Sequence, residues 1–330
     1  MDKKITMAHG SGGKSSAELM KQIFGKYFHN EILDRLEDAA VLDLKGGRFA
    51  YSTDSFVVNP IEFKGGNIGK LSVCGTVNDL LMMGAEPLYL SSGFILEEGL
   101  DTAVLDRIAK ALSEEAEKAG VQVVTGDTKV IEGRGGLMIN TSGIGYILPE
   151  RDVRAANCRP GDAILLSGTL GDHHACILSA RMGIENSIVS DCGVLKEITD
   201  ALFGAEIPVH TMRDVTRGGL GTVLNELAES ADVGIRIKET SLPVNPEVRG
   251  FCDILGLDPL YMGNEGKMVA VVPGERAEEA LALMRGTEMG KNAAVIGFCT
   301  SDSRGVILET PLGGTRVVDM LYGEGLPRIC

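Results

Sequence analysis

Between Pro149 and Gly161 the hydrophobic pattern of the chain stops and then restarts. This stretch is charged, carries Pro149 and Pro160, and shows no apolar period, so it reads as the boundary between two separately cored halves. A chain of 330 residues is long enough for two such cores. On the N-terminal side, Met20, Ile23, Phe24, Tyr27 and Phe28 repeat at helical spacing. Arg48 to Thr53 predicts a strand ending at Asp54. Gly69 to Met83 predicts a buried helix with Asn78 and Asp79 as polar exceptions. Leu88 to Leu96 follows as a strand. Leu105, Ile108, Leu112, Ala116 and Ala119 mark an amphipathic helix stopped by Gly120. Val121 to Val124 is a short strand running into Thr125-Gly126-Asp127, and Leu137 to Leu148 is a longer one.

Beyond the boundary, Ala163 to Leu166, Met268 to Val272 and Val306 to Leu308 read as strands. Leu220, Val223, Leu224, Leu227 and Ala228 form a helix face. Strands and helices mix without strict β-α-β alternation, which predicts two α+β domains. After Pro311 come Gly313, Gly314, Gly323, Gly325 and Pro327, a composition that predicts a mobile tail. The expected organisation is a glycine-rich arm and helix over 1–35, a first domain over 36–150, a second over 151–312 and the tail over 313–330.

Composition excludes some functions. The net charge is −14 and no stretch clusters Lys and Arg, which argues against nucleic acid. An acidic balance suits a protein that gathers carboxylates around a cation. The seven cysteines form no C-x-x-C pair, and their odd count and scattered spacing suggest neither a zinc ribbon nor a disulfide framework. The start runs into no long apolar stretch, and no run approaches the ~18 residues of a membrane helix. The expectation is a reduced, soluble, cytoplasmic protein.

Several acids stand where structure alone would not put them. Asp54 and Asp127 each follow an apolar strand, Asp79 interrupts the buried helix, and Asp38 sits in Glu37-Asp38-Ala39-Ala40-Val41. Strand ends display binding residues on a rigid scaffold. Converging carboxylates repel unless a hard cation such as Mg²⁺ sits between them, and Mg²⁺ commonly brings phosphates. Acids after strands also serve as turn residues or helix caps. Asp79 is the strongest of the four, because a buried carboxylate without a partner is costly.

The loop Ala8-His9-Gly10-Ser11-Gly12-Gly13-Lys14-Ser15 nearly matches a P-loop but has Ala8 in place of the first glycine and a poor strand before it. It reads as a phosphate-facing glycine loop of another kind, or as a flexible arm. Asp214-Val215-Thr216-Arg217-Gly218-Gly219-Leu220 opens a helix. Thr216 would cap it, and the amides at Gly218 and Gly219 would hold an anion, or the segment is a plain capped start. Asn264-Glu265-Gly266-Lys267 suits a catalytic loop and a polar turn equally. His173-His174 is too little for a metal site, since adjacent residues do not share a helix face. The sequence closes on Cys330 behind a glycine-rich segment. An exposed thiol is usually kept for reactivity, though a tail end with no role is the bland alternative.

Taken together, these segments resemble the HypE family of hydrogenase maturation factors (carbamoyl dehydratases). That family is part of the ATP-dependent superfamily that includes aminoimidazole ribonucleotide synthetase, selenophosphate synthetase and thiamine-monophosphate kinase. The match covers essentially the whole chain. It runs through Met7-Ala8-His9-Gly10-Ser11-Gly12-Gly13, Glu37-Asp38-Ala39-Ala40-Val41 and Ser52-Thr53-Asp54-Ser55-Phe56. It continues through Val73-Cys74-Gly75-Thr76-Val77-Asn78-Asp79-Leu80, Thr125-Gly126-Asp127-Thr128-Lys129-Val130 and Met212-Arg213-Asp214-Val215-Thr216-Arg217-Gly218-Gly219. Tyr261-Met262-Gly263-Asn264-Glu265-Gly266-Lys267 and Pro327-Arg328-Ile329-Cys330 complete it, the last being the most specific. Gly171-Asp172-His173-His174 departs from the commoner pattern with a single histidine.

The resemblance implies a two-domain aminoimidazole ribonucleotide synthetase-like fold with a flexible C-terminal tail. Its first domain would bind ATP and pair with a second copy into a homodimer. It implies that a carbamoyltransferase, HypF, loads a carbamoyl group onto Cys330, that ATP-dependent dehydration converts this S-carboxamide to an S-cyanide, and that a HypC–HypD iron-carrying complex receives the cyanide for a nickel-iron hydrogenase. Asp38, Asp54, Asp79 and Asp127 would then hold Mg²⁺–ATP, with Asn78, Gly10, Gly12 and Gly13 assisting. Lys14, Thr216, Arg217, Gly218 and Gly219 would lie at the phosphates. Glu265 would act as the base, and Lys129 would orient the carboxamide.

Overall fold

In the computed structural model, residues 4–10, 15, 18–35, 40, 42, 44, 46–302 and 304–320 are described. They fall into two compact units. The first comprises residues up to 80 and 85–149, the second residues 81–84 and those from 150 onward.

The first unit is a four-stranded sheet in the order β1-β6-β4-β5, with a separate two-stranded hairpin. Its strands are β1 (Arg48–Phe56), β4 (Ala85–Glu97), β5 (Gln122–Ile131) and β6 (Leu137–Ile147). The hairpin is β2 (Glu62–Phe63) with β3 (Gly66–Asn67). β6 runs antiparallel to β1 and β4, and β4 runs parallel to β5. Burial alternates along β4 and β6, so one face is cored and the other is not. Helix α1 (Ile68–Met82) covers the cored face. Its apolar residues point all round because it is enclosed, with Leu71, Val73, Cys74 and Val77 fully buried. Helix α2 (Thr102–Ala119) packs behind it. A Cβ on Gly69 of α1 would lie 2.2 Å from the carbonyl oxygen of Ile108, so the two backbones touch and only glycine fits. Asp101 caps α2 by accepting from the Ala103 amide, and Gly120 closes it at φ 72°.

Two expected strand ends move. β1 continues through Asp54 to Phe56, and β5 continues through Asp127 to Ile131. Both acids are therefore mid-strand residues with a defined face. The antiparallel ladder to β6 that runs through Asp54, and the parallel register with β4 at Asp127, hold the backbone extended where turn residues alone predict a stop.

The second unit is a seven-stranded sheet in the order β13-β12-β9-β11-β7-β10-β8. The strands are β7 (Asp162–Leu166), β8 (Thr211–Asp214), β9 (Gly234–Lys238), β10 (Met268–Pro273), β11 (Ala294–Thr300), β12 (Gly305–Glu309) and β13 (Thr315–Val318). Only β9 and β12 pair in parallel; the other neighbours are antiparallel. β7 and β10 are buried on both faces, which is why they read as unbroken apolar runs. The helices are α3 (Asp172–Met182), α4 (Lys196–Gly204), α5 (Gly219–Ala231), α6 (Pro246–Leu255) and α7 (Ala277–Arg285). α5 lays Leu220, Val223, Leu224 and Leu227 against Ile164, Ile235, Val269 and Val306. β13 corrects the expectation of an irregular tail from residue 313. Thr315–Val318 is an edge strand paired with β12, Val318 is fully buried, and its carbonyl accepts from Asn225.

No described helix is long and apolar enough to cross a membrane. Cys74, Cys158, Cys176, Cys192, Cys252 and Cys299 are buried and stand outside any disulfide.

Candidate functional site

The first unit brings two of the expected acids together. Ser52 and Asp54 lie two apart on β1, so they share a face. Thr76 and Asp79 lie three apart on α1, so they share a side of the helix. The two elements exchange hydroxyl bonds crosswise. Ser52 Oγ donates to Asp79 Oδ2 at 2.6 Å, and Thr76 Oγ1 donates to Asp54 Oδ2 at 3.1 Å. Thr76 Oγ1 also lies 2.7 Å from Thr141 Oγ1 on β6. Asn78, one position before Asp79, is buried. The hydroxyls orient both carboxylates and add oxygens beside them, a donor set that suits a hard cation. Among the described residues no three acid, imidazole or thiol side chains gather into a metal cluster. Asp38, the other acid expected nearby, lies outside the described residues, as do Gly12, Gly13, Lys14 and Cys330. Gly10 ends a short 3-10 turn, Met7–Gly10.

Asp127 stands elsewhere in the same sheet. One register row runs Ser55, Asn140, Gly93, Asp127, and the neighbouring row runs Asp54, Thr141, Ser92, Gly126. Adjacent rows point to opposite faces. Asp127 is thus on the exposed face, away from α1, and three strand spacings from Asp54, roughly 14 Å across the sheet. Lys129, two residues on, shares that face and pairs with Asp127 at 3.1 Å, both side chains about two-thirds exposed. Of the three expected metal ligands among the described residues, Asp127 stands apart from Asp54 and Asp79 within one chain.

In the second unit two expected segments are stitched together. The Asn264 amide and side-chain Nδ2 both donate to the Val215 carbonyl, and the Val215 amide donates to the Lys267 carbonyl. This seats Thr216–Gly219 beside Glu265. The expected cap differs from the one found. Gly218, at φ 78°, is the N-cap of α5, and no side chain caps the helix, Thr216 included. Both glycines have local reasons to be glycine. A Cβ on Gly219 (φ +64°) would lie 2.6 Å from the Leu260 carbonyl oxygen, and one on Gly218 would strike Thr222. Arg217 is exposed at this turn.

Glu265 is 8 % exposed. Its amide donates to Asp191 Oδ1 at 3.2 Å, and its carbonyl accepts from the Gly193 amide at 3.4 Å. Lys267 Nζ lies 3.3 Å from Asp191 Oδ2, with side chains 9 % and 3 % exposed. Around this pair, burial raises the Asp172 carboxyl above the usual carboxylate range. Asp172 accepts from Thr169 and, at 2.6 Å, from Asn245. Burial pushes His173 and His174 down to about 4, so both are neutral at pH 7. They are core histidines of α3, as their spacing implies. Asp191, Ser52 and Thr76 carry the local geometry together with Lys267 of the singled-out loop, and sequence reasoning gave the first three no role. Ser52 and Thr76 were findable at i,i+2 and i,i+3 from the acids; Asp191, in an irregular segment 74 residues from Glu265, was not.

Family models match both units: AIR synthase related protein, N-terminal domain, over residues 36–147, and AIR synthase related protein, C-terminal domain, over residues 159–308. The fold and its paired acids thus define an AIR synthase-related two-domain protein. The carbamoyl dehydratase HypE of Rhodobacter capsulatus is 48 % identical over 338 aligned positions, covering 100 % of this chain and 99 % of the relative. A crystal structure of the hydrogenase maturation protein HypE in complex with ATP superposes with a TM-score of 0.94 at 48 % identity, covering 98 % of this chain and 99 % of that one. HypE in a HypE–HypF complex superposes with a TM-score of 0.81 at 43 % identity, over 92 % of this chain and 99 % of that one. The chain belongs to the carbamoyl dehydratase HypE family of enzymes.

Proposed function

We propose that this chain dehydrates an S-carboxamide carried on its own Cys330 to an S-cyanide, using ATP, and so supplies cyanide for the iron of a nickel-iron hydrogenase. The observation that carries this reading is the full-length likeness to carbamoyl dehydratase HypE, including one solved with ATP. An amide oxygen is a poor leaving group, and phosphorylation makes it a good one. The carboxamide oxygen takes the γ-phosphoryl group. Loss of one N–H proton gives an O-phosphoryl imidate, and loss of the second with the C–O bond leaves S–C≡N and phosphate. Holding the tail against the nucleotide supplies much of the rate by proximity.

Asp54 and Asp79 hold the metal–nucleotide, kept in place by Thr76 and Ser52, with Asp38, Asp127, Asn78, Gly10, Gly12 and Gly13 assisting. Mg²⁺, once bound, neutralises charge on the transferred phosphoryl group. Lys14, Thr216, Arg217, Gly218 and Gly219 face the phosphates. Glu265, on its pinned loop, takes the N–H protons, and Lys129 orients the carboxamide. The exposed sheet face with Tyr51, Asp127 and Lys129 pairs with a second copy into a homodimer. This accounts for an Asp127 turned away from Asp54: a partner's site receives it. HypF loads the thiol, and a HypC–HypD complex accepts the cyanide.

The test is the mass of the C-terminal peptide after incubation with carbamoyltransferase, carbamoyl phosphate and ATP. The expected sequence is a carbamoyl adduct followed by loss of one water. An adduct that persists unchanged with ATP overturns the dehydratase reading, and no adduct at all overturns the role of Cys330.

A further inference from the structure

We infer that Asp191 is the positioning residue for Glu265. The inference rests on the reading of Glu265 as the base. Glu265 has no secondary structure of its own: it lies between a short 3-10 turn, Pro259–Tyr261, and the start of β10. A base on an irregular loop needs its backbone fixed, since misplacement by ~1 Å costs on the order of 100-fold in rate. Asp191 supplies that fixation at three points.

One carboxylate oxygen accepts the Glu265 amide at 3.2 Å. The other faces Lys267 Nζ at 3.3 Å, so the residues on both sides of Gly266 answer to one side chain. Gly266 itself is pressed onto the Asp191 backbone. A Cβ there would fall 1.9 Å from the Asp191 carbonyl oxygen and 2.7 Å from the Met289 methyl. No side chain other than hydrogen fits, so the loop and the Asp191 segment move as one body. The Gly193 amide, bonded to the Glu265 carbonyl at 3.4 Å, adds a bond from the same segment.

Burial makes the arrangement stiff. The Asp191 and Lys267 side chains are almost wholly enclosed. The stem of Lys267 lies over Gly168, where a Cβ would come within 3.0 Å of its Cε. The pair forms part of the wall of a cavity of about 310 Å³, shared with Thr169 and Ser190. The ammonium meets the carboxylate by proximity and charge, without hydrogen-bond alignment at Oδ2. Asp191 therefore holds the loop chiefly through the Glu265 amide and the backbone stacking, while Lys267 balances its charge.

The experiment compares Glu265→Gln, Asp191→Ala and Asp191→Asn in the full-length chain. Three quantities are read for each: ATP affinity, extent of Cys330 carbamoylation, and the single-turnover rate of water loss. Glu265→Gln tests the base alone. Asp191→Ala is expected to keep ATP affinity and carbamoylation while slowing water loss about 10- to 100-fold, the usual cost of losing a supporting hydrogen bond. Asp191→Asn keeps an acceptor for the Glu265 amide and should recover part of that rate.

If Glu265→Gln dehydrates normally, the base reading falls and this inference falls with it. A stalled Glu265→Gln beside a folded Asp191→Ala of wild-type rate overturns the positioning role alone. Equal losses in all three quantities for Asp191→Ala would mark a merely structural residue and also overturn it. Should Asp191→Ala not fold, Asp191→Ala combined with Lys267→Met, which removes the acceptor without stranding a buried ammonium, decides: slowed water loss with ATP affinity intact supports the inference, and an unchanged rate sinks it.

Discussion

The two units carry acid groups in opposite circumstances. In the first unit, Asp54 and Asp79 are part-exposed and are steadied by the hydroxyls of Thr76 and Ser52. In the second, Asp191 is enclosed and faces the equally enclosed Lys267. Hydroxyl donors orient the first pair and surround it with further oxygens, the setting that a hard cation takes. The second pair has its counter-charge built in, so it organises a loop and has little left to offer a ligand. Proximity of carboxylates is thus a poor guide to role; what neutralises them separates a binding site from a brace.

The sharpest break of this contrast is Lys267→Met. Removing the ammonium leaves the Asp191 carboxylate buried and unpaired, and the expected loss of stability is about 3–5 kcal/mol. Urea unfolding should show it as a lower midpoint, and Lys267→Met combined with Asp191→Asn should regain most of it. A midpoint unchanged by Lys267→Met would mean that water in the adjoining cavity solvates Asp191 and that the pair is no brace.

Asp79→Asn should behave in the reverse way. The expected effect is a 10- to 100-fold weaker affinity for Mg²⁺–ATP, with the unfolding midpoint nearly unmoved in the absence of nucleotide. Calorimetric titration and a nucleotide-free melt read the two halves of that statement. Wild-type nucleotide affinity would remove Asp79 from the ligand set, and a large fall in the nucleotide-free midpoint would make it structural.

Acid pH separates the units further. His173 and His174 sit near 4 when folded and near 6.5 when unfolded, so the unfolded chain takes up protons first as pH falls. Their contribution to stability is complete above pH 6.5. Below that it shrinks by roughly 1.4 kcal/mol per pH unit for each until pH reaches about 4. Asp172 works against this, because its raised folded pKa favours the folded state as pH falls. Two histidines outweigh one carboxyl, so the urea midpoint should be lower at pH 5 than at pH 7. His174→Gln should flatten the dependence, and equal midpoints for the unmodified chain at both pH values would refute the account.

Much of the fold was legible because its signals are local. The stop of α2 at Gly120, the enclosed α1 and the doubly buried β7 and β10 each follow from residues adjacent in sequence. What escaped was non-local. Asp54 and Asp127 look like strand ends because acids break apolar runs, yet ladder pairing carries both strands past them. β13 looks like tail because its glycines flank a strand only four residues long, and only its pairing with β12 holds it. The acids themselves were visible as misfits in apolar segments. Their grouping was not, since which face of β5 carries Asp127 depends on register with three other strands.

That register gives the smallest effect on the isolated chain. Lys129 and Asp127 form an exposed pair whose partners are each about two-thirds open to solvent. Such pairs contribute little to stability, because water screens them and two long side chains lose freedom in meeting. Lys129→Ala should therefore leave the unfolding midpoint where it is, in direct contrast to Lys267→Met on the enclosed pair. If Lys129 nevertheless orients the carboxamide, the same variant should slow water loss from carbamoylated Cys330 while ATP affinity holds. A lysine that is silent in stability but costly in turnover is kept for chemistry; one silent in both is only a solvated neighbour of Asp127, and the proposed role would go.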